Sequence, residues 1–240
     1  MHPPREDADV ETSSDAYARR FSGAVGRYFL EVQSTLTLQL LASWPGAKVI
    51  DVGGGHGQLT GPLVEAGYDV TVFGSDPSCE ARVADWTKGG RARFEAGDLT
   101  AAPFPDRAFD VALSYRLLPH AHRWRAVVGE LARLARQAVL VDYPTARSVN
   151  TISGSLFGLK KGVEGDTRPF AVFRDAEVEE AFAAHDFYPT ARKGQFLFPM
   201  ALHRATGSVA LARVLEGAGG ALGLRRAFGS PVILRLERRG

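Results

Sequence analysis

Short β-branched runs alternate with other segments along the middle of this chain. The runs read AKVIDV, DVTVFGSD, RARFEAGD, FDVALSY and QAVLVDYP, and a stretch of loop or helical periodicity separates each from the next. This alternation is typical of crossover connections, which place successive strands parallel with helices on both faces of the sheet. The pattern predicts an α/β fold, a three-layer Rossmann-like sandwich around a mostly parallel sheet.

The composition limits the classes of function. A chain of 240 residues with 45% hydrophobic content is long enough for one sizeable domain. Lys and Arg number 29 against 27 Asp and Glu, so no overall field favours a nucleic-acid partner. Cys79 is the only cysteine, and the sequence shows no signal peptide and no long apolar run. We expect a cytoplasmic protein without disulfide, membrane span or metal site.

The division of the chain follows from composition and periodicity. Residues 1–15 are polar and acidic and predict a disordered lead, because they hold too little apolar surface to offset the entropy of ordering. Residues 16–240 predict a single domain. Its parts are N-terminal helices at 16–45, a cofactor-binding core at 46–144, a cap segment at 145–173, and a C-terminal part at 174–240 with a helical insert at about 201–227.

A glycine-rich loop, VIDVGGGHGQLTGPL, joins the first strand to the helix that follows it. A loop at this place approaches a nucleotide in many α/β folds. The phosphate loop of kinase-like proteins is excluded, because it ends in Gly-Lys-Ser/Thr and no lysine occurs between Lys48 and Lys88. The dinucleotide pattern G-x-G-x-x-G is excluded too, because its last position falls on Gln58 or Thr60.

The remaining pattern is an acidic residue before G-x-G-x-G, here Asp51, Gly53, Gly55 and Gly57. Its ligand is S-adenosylmethionine, a cation without phosphate, and glycines let the backbone pass close to such a ligand. Together with the later stretch FEAGDLTAAPFPDRAFDVALSYRLLPHA, the loop resembles the class I S-adenosylmethionine-dependent methyltransferases, in particular the small-molecule enzymes of the type 11 group. The resemblance covers about residues 49–144 and implies a seven-stranded sheet whose last strand is antiparallel.

Residue by residue, the resemblance implies cofactor contacts at Asp51, Gly53, Gly54, Gly55, Gly57, Asp76, Asp98, Leu99, Ser114 and Tyr115. Asp51 is expected to order the loop and the amino end of the cofactor, and S-adenosylhomocysteine is the expected product. Asp98 resembles the carboxylate that accepts the adenine amino group, with the Leu99 amide beside it. A turn or helix cap is the alternative role for Asp98.

One position departs from the family pattern. The family ends its second strand with an acidic residue that binds the ribose hydroxyls, and a count along YDVTVFGSDP puts Gly74 there. The carboxylate follows two residues later, as Asp76. An extended or bulged strand would bring Asp76 to the ribose, and Ser75 with a water is the alternative.

Residues that carry the chemistry are expected beyond the fourth and fifth strands, in SYRLLPHAHRW and VDYPTARSVN. His120 is the first choice as a base, because an imidazole titrates near neutral pH, and a packing role is its alternative. The predicted catalytic residues are His120, Tyr115 and Asp142. The predicted acceptor-binding residues are Arg116, His120, Tyr143, Lys160, Lys161 and Arg168. The last three predict a basic edge on the cap or, alternatively, a solvated surface.

These observations favour transfer of a methyl group from S-adenosylmethionine to an oxygen or nitrogen, rather than a carbon, of a small amphipathic acceptor that is anionic or lipid-like. Two other classes stay open: a non-catalytic methyltransferase-like protein that binds the cofactor or serves as a scaffold, and a nucleic-acid or protein methyltransferase. Nucleic acid is disfavoured because SYRL stands where the Asn/Asp-Pro-Pro-aromatic motif would follow the fourth strand. The insert forms either a second wall of the acceptor pocket or a homodimer surface.

Overall fold

The computed structural model describes residues 5–148 and 170–239. Its strands are β1 (Lys48–Val52), β2 (Asp69–Gly74), β3 (Ala92–Ala96), β4 (Phe109–Ser114), β5 (Ala135–Tyr143), β6 (Phe187–Phe196) and β7 (Ser230–Arg238). Its helices are α1 (Ala8–Thr12), α2 (Asp15–Arg19), α3 (Gly23–Leu41), α4 (Thr60–Glu65), α5 (Ala84–Thr87), α6 (Trp124–Leu134), α7 (Asp175–Ala183), α8 (Met200–Thr206), α9 (Val209–Ala221) and α10 (Leu224–Phe228). Short 3-10 helices cover Gly54–His56, Pro77–Arg82 and Leu118–His120.

The strands form one sheet in the order β3-β2-β1-β4-β5-β7-β6. Strands β1 to β5 are parallel where they pair, whereas β7 is antiparallel to both β5 and β6. This arrangement confirms the predicted α/β fold and its antiparallel last strand. The strand order reverses between β1 and β4, and a ligand cleft is expected beyond the carboxyl ends of strands at such a switch point.

Side chains alternate between the two faces of the sheet, as the two-residue period of a strand requires. On one face, Ile50, Ala112 and Val139 enter a core shared with α6 and α7. On the other face, Val49 and Leu140 enter a core shared with α3 and α4. All five side chains are buried, and burial of each large aliphatic one contributes roughly 1.5–3 kcal/mol.

The same alternation places two carboxylates on the α3 face of the sheet. Asp51 lies two residues after Val49 in β1, and Asp142 lies two residues after Leu140 in β5. Both are next to the last residue of their strand, so they lie at the carboxyl edge of the sheet. Helix α3 reaches this edge, since Gln33 Nε2 donates to Asp142 Oδ2 at 3.0 Å.

The prediction of a disordered lead at 1–15 is wrong for the part that the structure describes. Residues 8–12 form α1, and Ala8 is fully buried within the core on the α6 face. The Asp9 carboxylate accepts a hydrogen bond from Ser75 N at 2.7 Å. The composition of residues 8–12 did not predict this helix, because buried polar contacts rather than apolar surface hold the segment in place.

Both ends of the cap segment that belong to the described structure lie side by side. Ala146 N donates to Phe173 O at 2.7 Å, and Phe173 N donates to Pro144 O at 2.9 Å. Ala171 N donates to Pro119 O at 2.9 Å, which ties the same place to the segment after β4. The cap segment therefore begins and ends beside the carboxyl edge of the sheet.

The predicted insert is helical and consists of α8, α9 and α10. Ala212 of α9 packs in a buried cluster with Phe29 of α3 and Phe196 of β6. The insert thus packs over α3 at the sheet edge formed by β6. Among the helices described, none combines the length and the apolar character that crossing a membrane requires.

Candidate active site

The glycine loop follows β1 at the switch point of the sheet. Gly53 and Gly57 have φ of +75° and +69°, a left-handed backbone that side chains with a Cβ rarely adopt. A Cβ on Gly53 would also lie 2.9 Å from Leu117 Cδ2. The loop therefore needs glycine for two reasons, its backbone conformation and its close packing against Leu117.

Gly55 has a different neighbourhood from the one expected for a residue that faces only the cofactor. A Cβ on Gly55 would lie 2.6 Å from Cys79 Cβ and 2.9 Å from Ser13 Oγ. Glycine is therefore required at this position because Ser13 and Cys79 of the same chain lie against it. A valine here would disturb the fold locally, so it is not a clean probe of ligand binding.

Asp51 presents a buried carboxylate at the cleft. Its side chain is fully buried, and neither carboxylate oxygen has a hydrogen-bond partner among the described residues. Burial, and then the negative charge of Asp142, raise the pKa of Asp51 to about 7. A buried carboxylate of this kind fits the ammonium group of S-adenosylmethionine, whose charge would lower the pKa again.

Asp98 and Leu99 follow β3 at the same edge of the sheet. Asp98 Oδ1 accepts from Thr100 N at 2.9 Å and from Thr100 Oγ1 at 2.8 Å. Burial acts to raise the pKa of Asp98, but these two hydrogen bonds outweigh it, and the pKa is lowered. The carboxylate thus caps a turn and stays charged, while the Leu99 side chain is fully buried beside it.

Asp76 does not extend β2 toward the cleft. Its side chain is exposed, and its Oδ1 accepts from Ser78 N at 2.9 Å, which caps the 3-10 helix Pro77–Arg82 and lowers the pKa of Asp76. The end of β2 instead meets Asp9, through the Ser75 amide. The structure therefore offers no support for Asp76 as the ribose carboxylate, and that role stays a prediction.

A cavity of about 150 Å³ lies beyond the ends of β4 and β5. Its walls combine aromatic side chains with a few polar groups, among them Tyr17, Arg116, His120, Asp142, Tyr143 and Phe170. Most of its surface is apolar, as is usual where a small organic molecule binds. Four of the predicted chemical residues therefore converge on one cavity.

Asp142 is fixed within this cavity wall by three donors. Arg116 N donates to its Oδ1 at 2.5 Å, and Gln33 Nε2 and Gln195 Nε2 donate to its Oδ2 at 3.0 and 3.5 Å. Burial raises the pKa of Asp142, and the Arg116 charge acts against that shift. With its oxygens engaged by these donors, Asp142 organises the wall rather than acting as a mobile base.

Arg116 brings a positive charge into the cavity wall. Its Nη2 donates to Gln33 Oε1 at 3.1 Å, and the guanidinium stacks on the Phe21 ring at 3.8 Å from its centroid. Its Nη1 is buried and has no hydrogen-bond partner within the described ranges. Burial lowers the pKa of Arg116, although the side chain stays charged at neutral pH. The unpartnered nitrogen can bind an anionic or carbonyl oxygen.

His120 lies in the 3-10 helix Leu118–His120 and contributes its ring to the cavity wall. The ring is edge-on to Tyr17 at 6.3 Å and to Phe170 at 5.5 Å between centroids. The position suits a base for a molecule in the cavity. The aromatic contacts also show that His120 packs, so both roles from the sequence are compatible with this geometry.

Tyr143 borders the cavity from β5, but its hydroxyl points to another partner. The Tyr143 hydroxyl donates to Asp175 Oδ1 at 3.2 Å, and Thr145 Oγ1 donates to the same oxygen at 2.8 Å. Burial, followed by the Asp175 charge, raises the pKa of Tyr143. The ring can therefore contact an acceptor, while the hydroxyl is held at the start of α7.

The expected catalytic role of Tyr115 is corrected by the structure. Its side chain is fully buried in the core on the α3 face, where Thr37 Oγ1 donates to its hydroxyl at 2.9 Å. Burial raises the pKa of Tyr115 well above its ordinary value. Its neighbour Ser114 donates to Val52 O at 3.0 Å and thereby links β4 to β1. Both side chains support the cleft from within the core.

The basic edge predicted on the cap lies outside the described residues. Lys160, Lys161 and Arg168 all belong to 149–169, so their role stays a prediction. Within the ranges that the structure describes, no group of three or more His, Cys, Asp or Glu side chains is placed to hold a metal ion.

Comparison with known proteins assigns the centre of the chain. Residues 50–141 match the family model described as "Methyltransferase domain". This stretch is similar to methyltransferase domains. The match includes the glycine loop, Asp98 and the whole of β4, and it confirms the resemblance noted from the sequence.

Relatives and solved structures of methyltransferases extend the comparison. Demethylmenaquinone methyltransferase of Beutenbergia cavernae is 36% identical over 86 residues, 34% of this chain and 33% of that protein. Malonyl-acyl-carrier protein O-methyltransferase of Serratia marcescens is 25% identical over 227 residues, 90% of this chain and 86% of that protein. The structure of magnesium protoporphyrin IX methyltransferase from Synechocystis PCC 6803 with bound SAH aligns with a TM-score of 0.68 at 16% identity, over 97% of this chain and 98% of that one. The first of these matches spans only a third of the relative's length, and the last shows the shared fold.

The cleft also uses residues that the sequence did not single out. Gln33 and Gln195 bind Asp142, Phe21 carries the Arg116 guanidinium, and Asp9 binds the end of β2. The two-residue period of β5 could have indicated that Asp142 faces α3, and therefore that a partner lies on that helix. No comparable signal in the sequence points to Asp9.

Proposed function

We propose that this protein is an S-adenosylmethionine-dependent methyltransferase that transfers a methyl group to an oxygen or nitrogen of a small amphipathic acceptor with an anionic group. The observation that carries the proposal is Asp51, a buried carboxylate that has no hydrogen-bond partner among the described residues. It lies at the end of β1 under a glycine loop, within the stretch that matches a methyltransferase domain. S-adenosylmethionine as cofactor is further supported by the bound SAH of the Synechocystis neighbour. When bound, this cofactor supplies an electrophilic methyl group.

The chain's own residues divide the work of binding. Asp51 attracts the ammonium of the cofactor, and Gly53 lets the backbone turn beside it. Asp98, which is charged and only partly buried, is suited to accept the adenine amino group, with the Leu99 amide as the donor to a ring nitrogen. These residues would hold the cofactor at the carboxyl edge of the sheet, where the cavity beyond β4 and β5 also opens.

The acceptor class follows from the lining of that cavity. Its apolar surface suits a hydrophobic body, and Arg116 Nη1 is the group that can bind an anionic oxygen. His120 borders the same space and can take the proton that an acceptor hydroxyl or amine loses when it is methylated. The relatives' names include a quinone and a malonyl group, so the acceptor class rests on the cavity rather than on one relative.

A direct binding measurement tests the proposal. Isothermal titration of the purified chain with S-adenosylmethionine is expected to give saturable binding near one molecule per chain, and Asp51→Asn is expected to weaken it strongly. Acceptor candidates with and without a carboxylate are then screened by mass spectrometry for a gain of one CH2 unit. Absence of cofactor binding would refute the proposal.

One observation favours a second candidate, a methyltransferase-like scaffold without catalysis. The glycine loop is covered by the protein's own N-terminal residues, and Ser13 lies against Gly55. In a scaffold this cover would be permanent, and neither the parent nor any variant of the cover would bind the cofactor. The same titration therefore separates the two functions.

A further inference from the structure

Residues 5–13, called the N-terminal segment from here on, lie across the cleft that the cofactor residues form. Glu6 Oε2 accepts from Arg123 N at 2.9 Å, and the charge of Arg123 helps to lower the pKa of Asp98, which follows β3. Asp9 Oδ2 accepts from Ser75 N at 2.7 Å, just beyond β2. Ser13 Oγ donates to Cys79 Sγ at 3.3 Å and lies against the glycine loop. The segment thus follows the path expected for adenine, ribose and methionine.

The space beneath the segment is closed. Asp51, Leu99 and Ala8 have no solvent exposure, and Gly54 and Gly55 are buried too. Since Ser13 Oγ is 2.9 Å from the place of a Cβ on Gly55, a ligand atom cannot lie against that glycine while the segment stays in place.

The closed arrangement leaves several buried polar atoms unsatisfied. Asp9 Oδ1, Ser75 Oγ and both oxygens of Asp51 have no hydrogen-bond partner among the described residues. Such atoms cost free energy in a folded protein. Burial also raises the pKa of Asp9 despite the hydrogen bond from Ser75 N, so its charge is held there at a cost. A five-residue helix held in this way is readily displaced.

We propose that the N-terminal segment is an intramolecular competitor of the cofactor, with the Asp9 carboxylate bound to the Ser75 amide as its latch. The segment must leave the cleft before S-adenosylmethionine can enter. The measured affinity is then the intrinsic affinity reduced by the fraction of molecules that are open. This inference rests on the proposed function.

Two variants that expel the segment test the competition. Ala8→Arg places a long charged side chain at a fully buried position, and Asp9→Lys removes the latch. Val10→Ala is the matched control, because Val10 belongs to the same helix and is 40% exposed. If the closed form dominates ten to one, Ala8→Arg and Asp9→Lys bind S-adenosylmethionine about tenfold more tightly than the parent, whereas Val10→Ala binds equally.

The only cysteine of the chain gives a readout that needs no cofactor. Cys79 is 1% exposed, and its thiol lies beneath Ser13 and 3.6 Å from Asp9 Oδ2. Ellman's reagent is expected to label Cys79 slowly in the parent and in Val10→Ala, and about tenfold faster in Ala8→Arg. Circular dichroism checks that each variant is folded.

The parent chain provides the same test if a variant fails to fold. Saturating S-adenosylmethionine is expected to increase hydrogen–deuterium exchange in residues 5–13, because the segment is driven out. Decreased exchange there, or weaker cofactor binding by Asp9→Lys and Ala8→Arg, would mean that Asp9 and its neighbours bind the cofactor, and would overturn the competition. Absence of binding in the parent and in all variants would instead overturn the proposed function, and the competition with it.

Discussion

Asp51→Asn is expected to stabilise the cofactor-free protein while it removes the function. The pKa of Asp51 is raised from 3.8 to about 7, so between these values the folded state holds a proton that the unfolded state releases. The free energy of unfolding then falls as pH rises, by about 1.4 kcal/mol per pH unit. Over the three units concerned the loss is about 4 kcal/mol, and it is complete above pH 7.

Asparagine has nearly the same shape and cannot ionise, so the variant avoids this loss. Urea unfolding of parent and variant is expected to give similar free energies at pH 4 and a clearly more stable variant at pH 8. Asp110→Asn is the matched control on the neighbouring strand. Asp110 accepts from Lys48 N at 2.9 Å and its pKa is lowered despite partial burial, because hydrogen bonds favour its charge. This control is therefore expected to destabilise the protein at pH 8.

Cofactor affinity is expected to rise with pH, whereas the free energy of unfolding falls. If only the ionised form of Asp51 binds the ammonium, the competent fraction rises from about a tenth at pH 6 to about a half at pH 7, which predicts a roughly fivefold gain in affinity. Calorimetric titration at the two pH values measures the gain, and Asp51→Asn should show weak binding without it. An Asn variant that is less stable than the parent at pH 8, or binds as tightly, would refute the assignment of Asp51.

Three further predictions concern other parts of the site. Asp98→Ala should weaken S-adenosylmethionine binding by about 1–3 kcal/mol in calorimetry, through loss of an acceptor for the adenine amine. Gly53→Val should abolish binding and lower the free energy of unfolding by about 1–3 kcal/mol, since its φ is +75° and Leu117 fills the space for a Cβ. Arg116→Gln should raise the KM of an anionic acceptor at least tenfold while the Kd of the cofactor stays unchanged; equal losses in both would place Arg116 at the cofactor instead.

The sequence predicts the central fold well because local signals and tertiary structure agree there. The runs at β1, β4 and β5 have the length and β-branched content of buried parallel strands, and the glycine loop carries its own conformational requirement in Gly53 and Gly57. Alternation along a strand even carries information that residue types alone do not. Tyr115 follows Val111 and Leu113 at two-residue intervals, so its side chain is expected on the same face of the sheet. That face packs in the core with α3 and not against the cavity.

The N-terminal segment could not be predicted in the same way. Its acidic composition is typical of disordered chain, and its place in the structure depends on contacts with Ser75, Cys79 and Arg123, which are far away in sequence. Asp76 is expected at the ribose because it is a carboxylate near the family position. In the structure it caps the 3-10 helix after β2 instead. Both cases involve single hydrogen bonds of side chains, which leave no periodic pattern in a sequence.

The charges of the cleft explain why one cation and one anion should bind together. Asp51 and Asp142 project from the same face of the sheet at the ends of β1 and β5, which β4 separates, and each carboxylate is buried. The charge of Asp142 contributes to the raised pKa of Asp51, whereas Arg116 compensates Asp142. A cationic cofactor at Asp51 satisfies the remaining negative charge, and its binding leaves the second guanidinium nitrogen of Arg116 to an anionic acceptor. Under the proposed function, the methyl donor would be attracted to Asp51 and an anionic acceptor to Arg116, and opposite charges in one cleft would favour binding of the two together.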